Sequence, residues 1–153
     1  MCLFVNVIDD AQTATTNIPI YKVAIKSSID ENLYFSYFMK SEIKLNTPYQ
    51  SGLDYPEVLF CYGSKVVEVG LHSFKNLEDA LFFAKHKTAF DVNIKNINTR
   101  LVILGGYIPK GSKYYLGSFN EWESFASDQI IYDEVIDIIT PDALNIDYVD
   151  KLK

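Results

Sequence analysis

The fold is decided by the stretch Ile108-Pro109-Lys110-Gly111-Ser112-Lys113-Tyr114-Tyr115-Leu116-Gly117, which places a tight turn between two apolar segments. Proline fixes its own φ and has no N–H to donate, and the glycine two residues later permits φ > 0. Residues 109–112 therefore predict a turn that leads from one strand into the next. The strand before the turn covers 100–108, with Gly105-Gly106 predicting a β-bulge. An aromatic strand follows at 113–116.

Apolar and aromatic runs predict further strands on both sides of this turn. They lie at 3–8, 18–25, 33–38, 58–62, 65–69 and 128–139. Gly63-Ser64 joins two of these runs with the pattern of a two-residue hairpin. Two long loops are predicted between strands, at 47–56 and 119–127.

Two helices complete the expected fold. Asn76 is a suitable N-cap, and the apolar residues that follow it recur with a 3.6-residue period, which predicts a central helix over 76–87. Thr140-Pro141-Asp142 is a helix-start signal and predicts a short C-terminal helix over 141–152. The sequence therefore predicts one α+β domain over 1–153, with a mostly antiparallel or mixed sheet.

The composition is that of an ordinary globular protein, with 48% hydrophobic and 22% charged residues among 153. The net charge of −6 comes from residues 121–153, where nine acids and two lysines give −7, while residues 1–120 sum to +1. Proteins that bind nucleic acid usually present a basic stripe. We therefore expect no nucleic-acid partner, and we interpret the acidic segment as a solvated outer face.

Cysteine content and hydropathy indicate the expected compartment. Cys2 and Cys61 are the only cysteines, and their spacing indicates neither a disulfide framework nor a structural zinc site. The first residues lack the basic region and the long apolar stretch of a signal peptide. No run of about 18 apolar residues predicts a membrane span. We expect a cytoplasmic protein with no membrane partner.

The chain carries no diagnostic catalytic motif. Gly-x-Ser-x-Gly, the phosphate-binding P-loop and Gly-x-Gly-x-x-Gly are all missing from the sequence. His72 and His86 are the only histidines, and because no set of carboxylates accompanies them we expect no metal site. Ser73 follows His72 directly, but neighbouring residues on a strand point to opposite faces. We interpret that pair as structural.

The two predicted loops hold the remaining candidate residues. Glu121 and Glu123 have a spacing compatible with acid/base chemistry, although a solvated acidic loop explains the same pattern. Trp122 between them and Tyr49 in the first loop are candidate ligand-binding residues, because loops often carry binding sites. The alternative is that the loop tyrosines cover the edge of the core. Tyrosine-rich loops are equally compatible with a homo-oligomer interface.

A family resemblance adds named roles to these residues. The landmarks are Gly70-Leu71-x-Ser73, a helix containing Ala80-Leu81-Phe82-Phe83-Ala84, Ile108-Pro109-Lys110-Gly111, Tyr115-Leu116, an acidic loop and an aliphatic strand. In this order they resemble the catalytic half of the ADP-ribosyltransferases. The resemblance implies that Tyr21 and Lys22 hold the phosphates of NAD and that Ser73 orders the pocket. It implies Asp128 or the Glu121/Glu123 pair for the family's catalytic glutamate, with Glu123 or Asp128 stabilising an oxocarbenium-like transition state.

The chain departs from that family at several positions. Lys22 stands where the family has arginine, and a lysine offers a point charge in place of a forked donor. Phe74-Lys75 follows Ser73 where the family has Thr-Ser. These changes favour a protein that keeps the scaffold without the catalysis.

The chain is also similar to small uncharacterised proteins of phages and bacteria, which implies an accessory protein. We therefore expect a non-catalytic module that binds a nucleotide-type ligand or a host protein and has no cofactor. The first alternative is an active ADP-ribosyltransferase that uses NAD. The second is a structural or interaction protein without a small ligand.

Overall fold

Alternating apolar side chains produce strands along most of the chain that the structure describes. The structure is a computed structural model, and it describes residues 3–6, 10–27, 30, 32–37, 41–52, 64–67, 70–90 and 100–139. The strands are β1 (Leu3–Asn6), β2 (Gln12–Thr13), β3 (Ile18–Lys26), β4 (Tyr34–Ser36), β5 (Glu42–Ile43), β6 (Pro48–Gln50), β7 (Ser64–Val67), β8 (Leu71–Phe74), β9 (Arg100–Ile108), β10 (Lys113–Phe119), β11 (Trp122–Ser127) and β12 (Gln129–Ile139). One helix, α1 (Leu77–Phe90), lies between β8 and β9.

The described strands form one twelve-stranded sheet that curls into a half-barrel. Its main path has the order β6-β12-β9-β3-β8-β11-β10-β1-β7, with β2 beside β10, β4 beside β3 and β5 beside β4. Every pairing between described strands is antiparallel. Strand β3 lies near the centre of this path, between β9 and β8.

The predicted turn at 109–112 is confirmed, but the strands it joins are not neighbours. The Ser112 N–H donates to the Pro109 carbonyl oxygen at 3.0 Å, and Gly111 has a φ of 90°. That positive φ is costly for residues with a side chain and free for glycine. Strand β9 then pairs with β3 and β12, whereas β10 pairs with β11 and β1. The turn therefore connects two separate parts of the curled sheet.

The bulge predicted in β9 at Gly105-Gly106 lies instead on the facing strand β12, while β9 pairs with β3 without a break. The register between β12 and β9 shifts between Tyr132 and Glu134, directly opposite the two glycines. A Cβ atom on Gly106 would overlap the Ile131 carbonyl oxygen and lie 2.8 Å from the Tyr132 Cα. Glycine at this position lets the two backbones approach closely. Tyr132 precedes the register shift and shares the buried face of Ile130 by ordinary strand alternation.

Residues 119–127, predicted as a loop, are instead a hairpin. Strand β10 continues to Phe119, and β11 begins at Trp122. The two residues between them have φ values of 46° and 75°, at Asn120 and Glu121. Such values belong to the type I′ turn that fits the twist of paired strands. The turn was not predicted because Asn120-Glu121 contains no glycine, which is the usual signal for positive φ. The other predicted loop, 47–56, contains the short strand β6.

Helix α1 covers one face of the sheet and confirms the helix predicted over 76–87. The Asn76 side-chain amide donates to the Asp79 carboxylate at 3.3 Å just before the first turn. Ala80, Phe83 and Ala84 pack on the sheet beside Val23 and form a core together with Phe74, Leu101, Ile103 and Ile139. A second core fills the other face with residues that include Ile20, Ala24, Leu104, Ile130 and Tyr132. The sheet is therefore buried on both sides.

The predicted α+β fold class is wrong in its balance. The structure is 61% strand and 11% helix, so the part of the chain that it describes is mostly β, with one helix docked on the sheet. The excess of strand comes partly from segments predicted as loops, since 47–56 contains β6 and 119–127 contains β11. The predicted C-terminal helix at 141–152 and the predicted strand at 58–62 lie outside the described residues. Within the described ranges, no helix is long and apolar enough to cross a membrane.

The close approach at Gly106 gives a first testable prediction. Gly106→Ala should destabilise the protein by about 1–3 kcal/mol, because the new Cβ meets backbone atoms of β12 that have no free space to move into. Urea unfolding at pH 7 measures the change.

Gly52→Ala is the matched control, since a Cβ there meets nothing within 4 Å. Its stability should stay within about 0.5 kcal/mol of the parent. Equal effects of the two substitutions would contradict the close approach of β9 and β12.

Candidate functional site

Lys22 lies on the interior face of strand β3. Side chains alternate along a strand, and Ile20 and Ala24, two residues on either side of Lys22, are fully buried in the core opposite the helix. Tyr21 and Val23 instead belong to the core beneath α1. Lys22 therefore shares the face of Ile20 and Ala24, and its side chain points toward the interior of the curled sheet.

The Lys22 side chain bridges β3 and β8 at the point where the backbone pairing between these two strands ends. Strands β3 and β8 share one register pair, Tyr21 with Phe74. Beside that pair the Lys22 Nζ donates to the His72 carbonyl oxygen at 2.8 Å. The side chain thus reaches across the gap between β3 and β8 and satisfies a backbone carbonyl there.

A cleft of about 200 Å³ opens around this hydrogen bond. Six strands (β3, β4, β5, β6, β8 and β12) and residues beside them form its wall, which is mainly apolar. The lining residues are Lys22, Ser36, Ser41, Glu42, Ile43, Tyr49, Gly70, Leu71, His72 and Tyr132. The cleft therefore combines one cation with several hydroxyl groups in an apolar surrounding, a composition typical of small-ligand sites.

Two tyrosines from neighbouring strands line the cleft. The Tyr49 and Tyr132 rings lie 6.3 Å apart between centroids. The Tyr49 hydroxyl oxygen accepts the Lys44 N–H at 2.7 Å, and the Tyr132 carbonyl accepts the Asn46 N–H at 2.6 Å. The first bond ties the Tyr49 ring to the backbone of its own segment, and the second holds that segment against β12. Burial, with a smaller contribution from Tyr49, raises the pKa of the Tyr132 phenol, which therefore stays protonated.

Lys22 has no carboxylate partner among the described residues. Its side chain makes one hydrogen bond there, to a neutral carbonyl, and the ion pairs of the described chain involve other lysines. The residue is half-buried at the wall of the cleft. Burial lowers the pKa of Lys22 from 10.5 to about 8. Since a charge withdrawn from water is normally paired, a half-buried lysine that is bound only to a neutral carbonyl group is unusual.

Serine and glutamate residues from β4, β5 and the turn between them form the rim of the cleft. The Ser36 hydroxyl oxygen accepts the Ser41 N–H at 3.0 Å, which leaves the Ser36 O–H proton free to donate. The Glu42 carboxylate is 53% exposed and lies 3.5 Å from the Lys44 ammonium. Its charge is therefore shared with another lysine and with solvent.

The structure brings together two of the predicted site residues, Lys22 and Tyr49, which both line the cleft. Tyr21 packs against the core beneath α1, on the opposite face of β3 from Lys22. Ser73 is 0% exposed, opposite Phe125 on β11, and its hydroxyl has no hydrogen-bond partner among the described residues. Neither of these two side chains borders the cleft.

The other predicted site residues lie elsewhere. Trp122 packs in an aromatic cluster with Phe74, Phe82, Phe83 and Phe119. Glu123 is exposed on β11, with its carboxylate 3.3 Å from the Lys75 ammonium. Asp128 accepts the Lys113 N–H at 2.9 Å and fixes the junction of β11 and β12. These contacts give all three residues structural roles.

Sequence reasoning missed Tyr132, Ser36 and the carbonyl group of His72 as parts of the site. One signal was present: in Ile18-Pro19-Ile20-Tyr21-Lys22-Val23-Ala24-Ile25 the lysine shares the period-2 face of Ile20 and Ala24. A charged residue on the apolar face of a strand marks a buried cation. Tyr132 and Ser36 gave no such signal, because their approach to Lys22 depends on strand pairing between distant segments.

Comparison with protein-family models, with curated proteins and with solved structures finds no match. Among the described residues, no group of three or more His, Cys, Asp and Glu side chains is arranged to hold a metal ion.

The unpaired amine makes stability depend on pH. The pKa of Lys22 is about 8 in the folded chain and about 10.5 unfolded, so between these values the unfolded chain binds more protons and folding becomes more favourable as the pH rises. Below pH 8 the amine is charged in both the folded and the unfolded chain, so the folded protein carries the whole free-energy cost of burying an ammonium group. Lys22→Met should therefore stabilise the empty protein by about 1–3 kcal/mol at pH 7, and the gain should shrink toward pH 10.

Urea unfolding of both proteins at pH 7 and pH 10 measures this difference. Glu42, His72, Tyr49 and Tyr132 also border the cleft but are present in both proteins, so the comparison isolates Lys22. Lys26→Met, at the end of the same strand and away from the cleft, is the control and should show no such pH-dependent gain. A constant gain at both pH values would contradict the burial of a titrating amine.

Proposed function

We propose that this chain is a non-catalytic binding protein that holds a small anionic ligand against Lys22. The observation that carries the proposal is the lysine itself, which is desolvated enough to have a lowered pKa and has no carboxylate partner among the described residues. A buried ammonium without a counter-ion is costly, and a ligand carboxylate or phosphoryl group would supply that counter-ion. The empty site is thus prepared for a negative charge.

Hydroxyl groups around Lys22 support the same choice of ligand. The hydroxyls of Ser36 and Tyr49 each accept one backbone N–H and keep a proton to donate. The Tyr132 phenol remains protonated because burial raises its pKa. Donors of this kind satisfy the additional lone pairs of an oxyanion, which a single ammonium cannot saturate.

The size of the cleft limits the ligand. Its volume of about 200 Å³ lies below the roughly 300–1,000 Å³ of pockets for drug-sized ligands. A small carboxylic acid fits this description, and so does the phosphoryl end of a nucleotide whose remainder stays outside. Of the nucleotide-type ligand expected from the sequence, only the phosphoryl group would therefore occupy the cleft.

The alternative of an active ADP-ribosyltransferase has no comparable support. It needs Tyr21, Ser73 and an acid such as Asp128 around one pocket, and these residues lie on other faces or in the core. We therefore propose no transfer step.

Thermal-shift measurements with inorganic phosphate, AMP, acetate and succinate test the proposal. A ligand at about 100 times its dissociation constant should add about 2.7 kcal/mol to the stability of the parent protein. Comparing phosphate and AMP with acetate and succinate shows whether the site prefers a phosphoryl group or a carboxylate. Lys22→Met should abolish the shift, Lys22→Arg should keep it because arginine retains the charge, and Lys26→Met should leave it unchanged.

The affinity should also depend on pH. Binding needs the protonated amine, and the pKa of Lys22 is about 8 in the empty site, so the affinity should be constant below pH 8. Above pH 8 it should fall by about tenfold per unit until the pKa of the complex is reached. Isothermal titration at pH 7 and pH 9.5 measures this change. Absence of a shift with every anion, or an unchanged affinity in Lys22→Met, would refute the proposed function.

A further inference from the structure

We propose that Lys22 captures small 2-oxo acids covalently, by forming a Schiff base between its amine and the ligand's ketone carbon. This inference rests on the proposed anion site and names its ligand class. A 2-oxo acid places a carboxylate next to a carbonyl group. The cleft places hydroxyl donors next to an amine that faces an apolar space.

The geometry leaves the amine able to react. In its neutral form the Lys22 nitrogen uses one N–H for the His72 carbonyl oxygen, at 2.8 Å. Among the described residues nothing else holds this nitrogen, so its lone pair is not engaged as an acceptor. A lysine desolvated in an apolar pocket is the usual activated form of the amine nucleophile. Here the nearby Leu71, Ile43 and Tyr49 supply that apolar wall.

The neutral amine is also abundant enough to react near neutral pH. With a pKa of about 8, roughly one Lys22 side chain in ten is neutral at pH 7, against roughly one in two thousand for an ordinary lysine. The ratio of the two neutral fractions is on the order of 200. Surface lysines therefore compete poorly for the same carbonyl compound.

The proposed step balances in atoms and electrons. The amine lone pair forms the C–N bond, the carbonyl π pair moves to oxygen, and one nitrogen proton is transferred to that oxygen to give a carbinolamine. The C–O bond then breaks and water leaves with the second nitrogen proton, which gives the imine. No oxidant or reductant takes part, and hydrolysis reverses the reaction.

Tyr132 is placed to assist the loss of water. Its phenol borders the same cleft, and its raised pKa keeps the proton available as a hydrogen-bond donor to the departing oxygen. When the imine is protonated its positive charge lies next to the ligand carboxylate. The captured ligand thereby supplies the counter-ion that the empty site lacks.

Reductive trapping tests this inference on the full chain. The protein is incubated with pyruvate and sodium cyanoborohydride at pH 7 and pH 8, and modified lysines are located by peptide mass mapping. The adduct adds the mass of pyruvic acid less one oxygen atom. Modification at Lys22 should exceed that at Lys26 or Lys113 at least about tenfold, in line with the neutral fractions, and should be faster at pH 8.

Lys22→Arg separates this inference from the proposed function. Arginine keeps the positive charge but forms no Schiff base under these conditions, so the variant should bind pyruvate without trapping it. If the parent protein binds pyruvate but traps it no better at Lys22 than at Lys26, the covalent step is refuted and the anion site stands. If Lys22 is trapped while no anion binds, the proposed function is refuted instead.

A neutral aldehyde tests the ligand class. Butanal has the reactive carbonyl group but no carboxylate, so trapping at Lys22 should be at least about tenfold slower than with pyruvate, which corresponds to 1.4 kcal/mol. Equal trapping of the two compounds would refute the 2-oxo acid class. The parent protein suffices for both measurements, so the result does not depend on the folding of a variant.

Discussion

Burial of strand β3 on both faces is the constraint on which the rest of the structure depends. One set of alternating side chains packs beneath α1, and the other set packs in the core on the opposite face. Nine consecutive register pairs fix β3 against β9, from Ile18 with Ile108 to Lys26 with Arg100. Since a shift by one residue would exchange the two faces, this register decides that Lys22 points inward. The cleft exists because the neighbouring strand β8 follows β3 only as far as one residue pair.

Local signals in the sequence were sufficient for some elements and insufficient for others. The helix after Asn76 and the turn at 109–112 were predictable because capping, proline and glycine act within a few residues. Gly105-Gly106 indicated an irregularity, but the bulge itself lies in the facing strand β12. The 119–127 hairpin was not predicted, because its turn uses Asn120 and Glu121 at positive φ in place of glycine. The balance of strand and helix was misjudged for a related reason. Short strands such as β2 and β6 gain their stability from partners that lie far away in the chain.

The candidate site shows the same division. Lys22 and Tyr49 were recognised as candidate residues, but they were assigned partners by their proximity in sequence or by family resemblance. Tyr21 is adjacent to Lys22 and therefore faces the other core, because successive strand residues point to opposite sides. Ser73 faces inward but is enclosed by the pairing of β8 with β11. The groups that do surround the amine come from β4, β6, β8 and β12, and only the sheet order brings those strands together.

Strand β6 is short and lies at the end of the main strand path of the described sheet, with Pro48 lacking an N–H for any outer neighbour. It nevertheless carries Tyr49, which lines the cleft. Edge segments of this kind open at a lower free-energy cost than central strands. An occupant of the cleft gains contacts only while this edge is closed. Binding in the cleft and protection of the β6 amide hydrogens from exchange are therefore linked. A bound ligand stabilises the closed edge by the same free energy by which a closed edge strengthens binding.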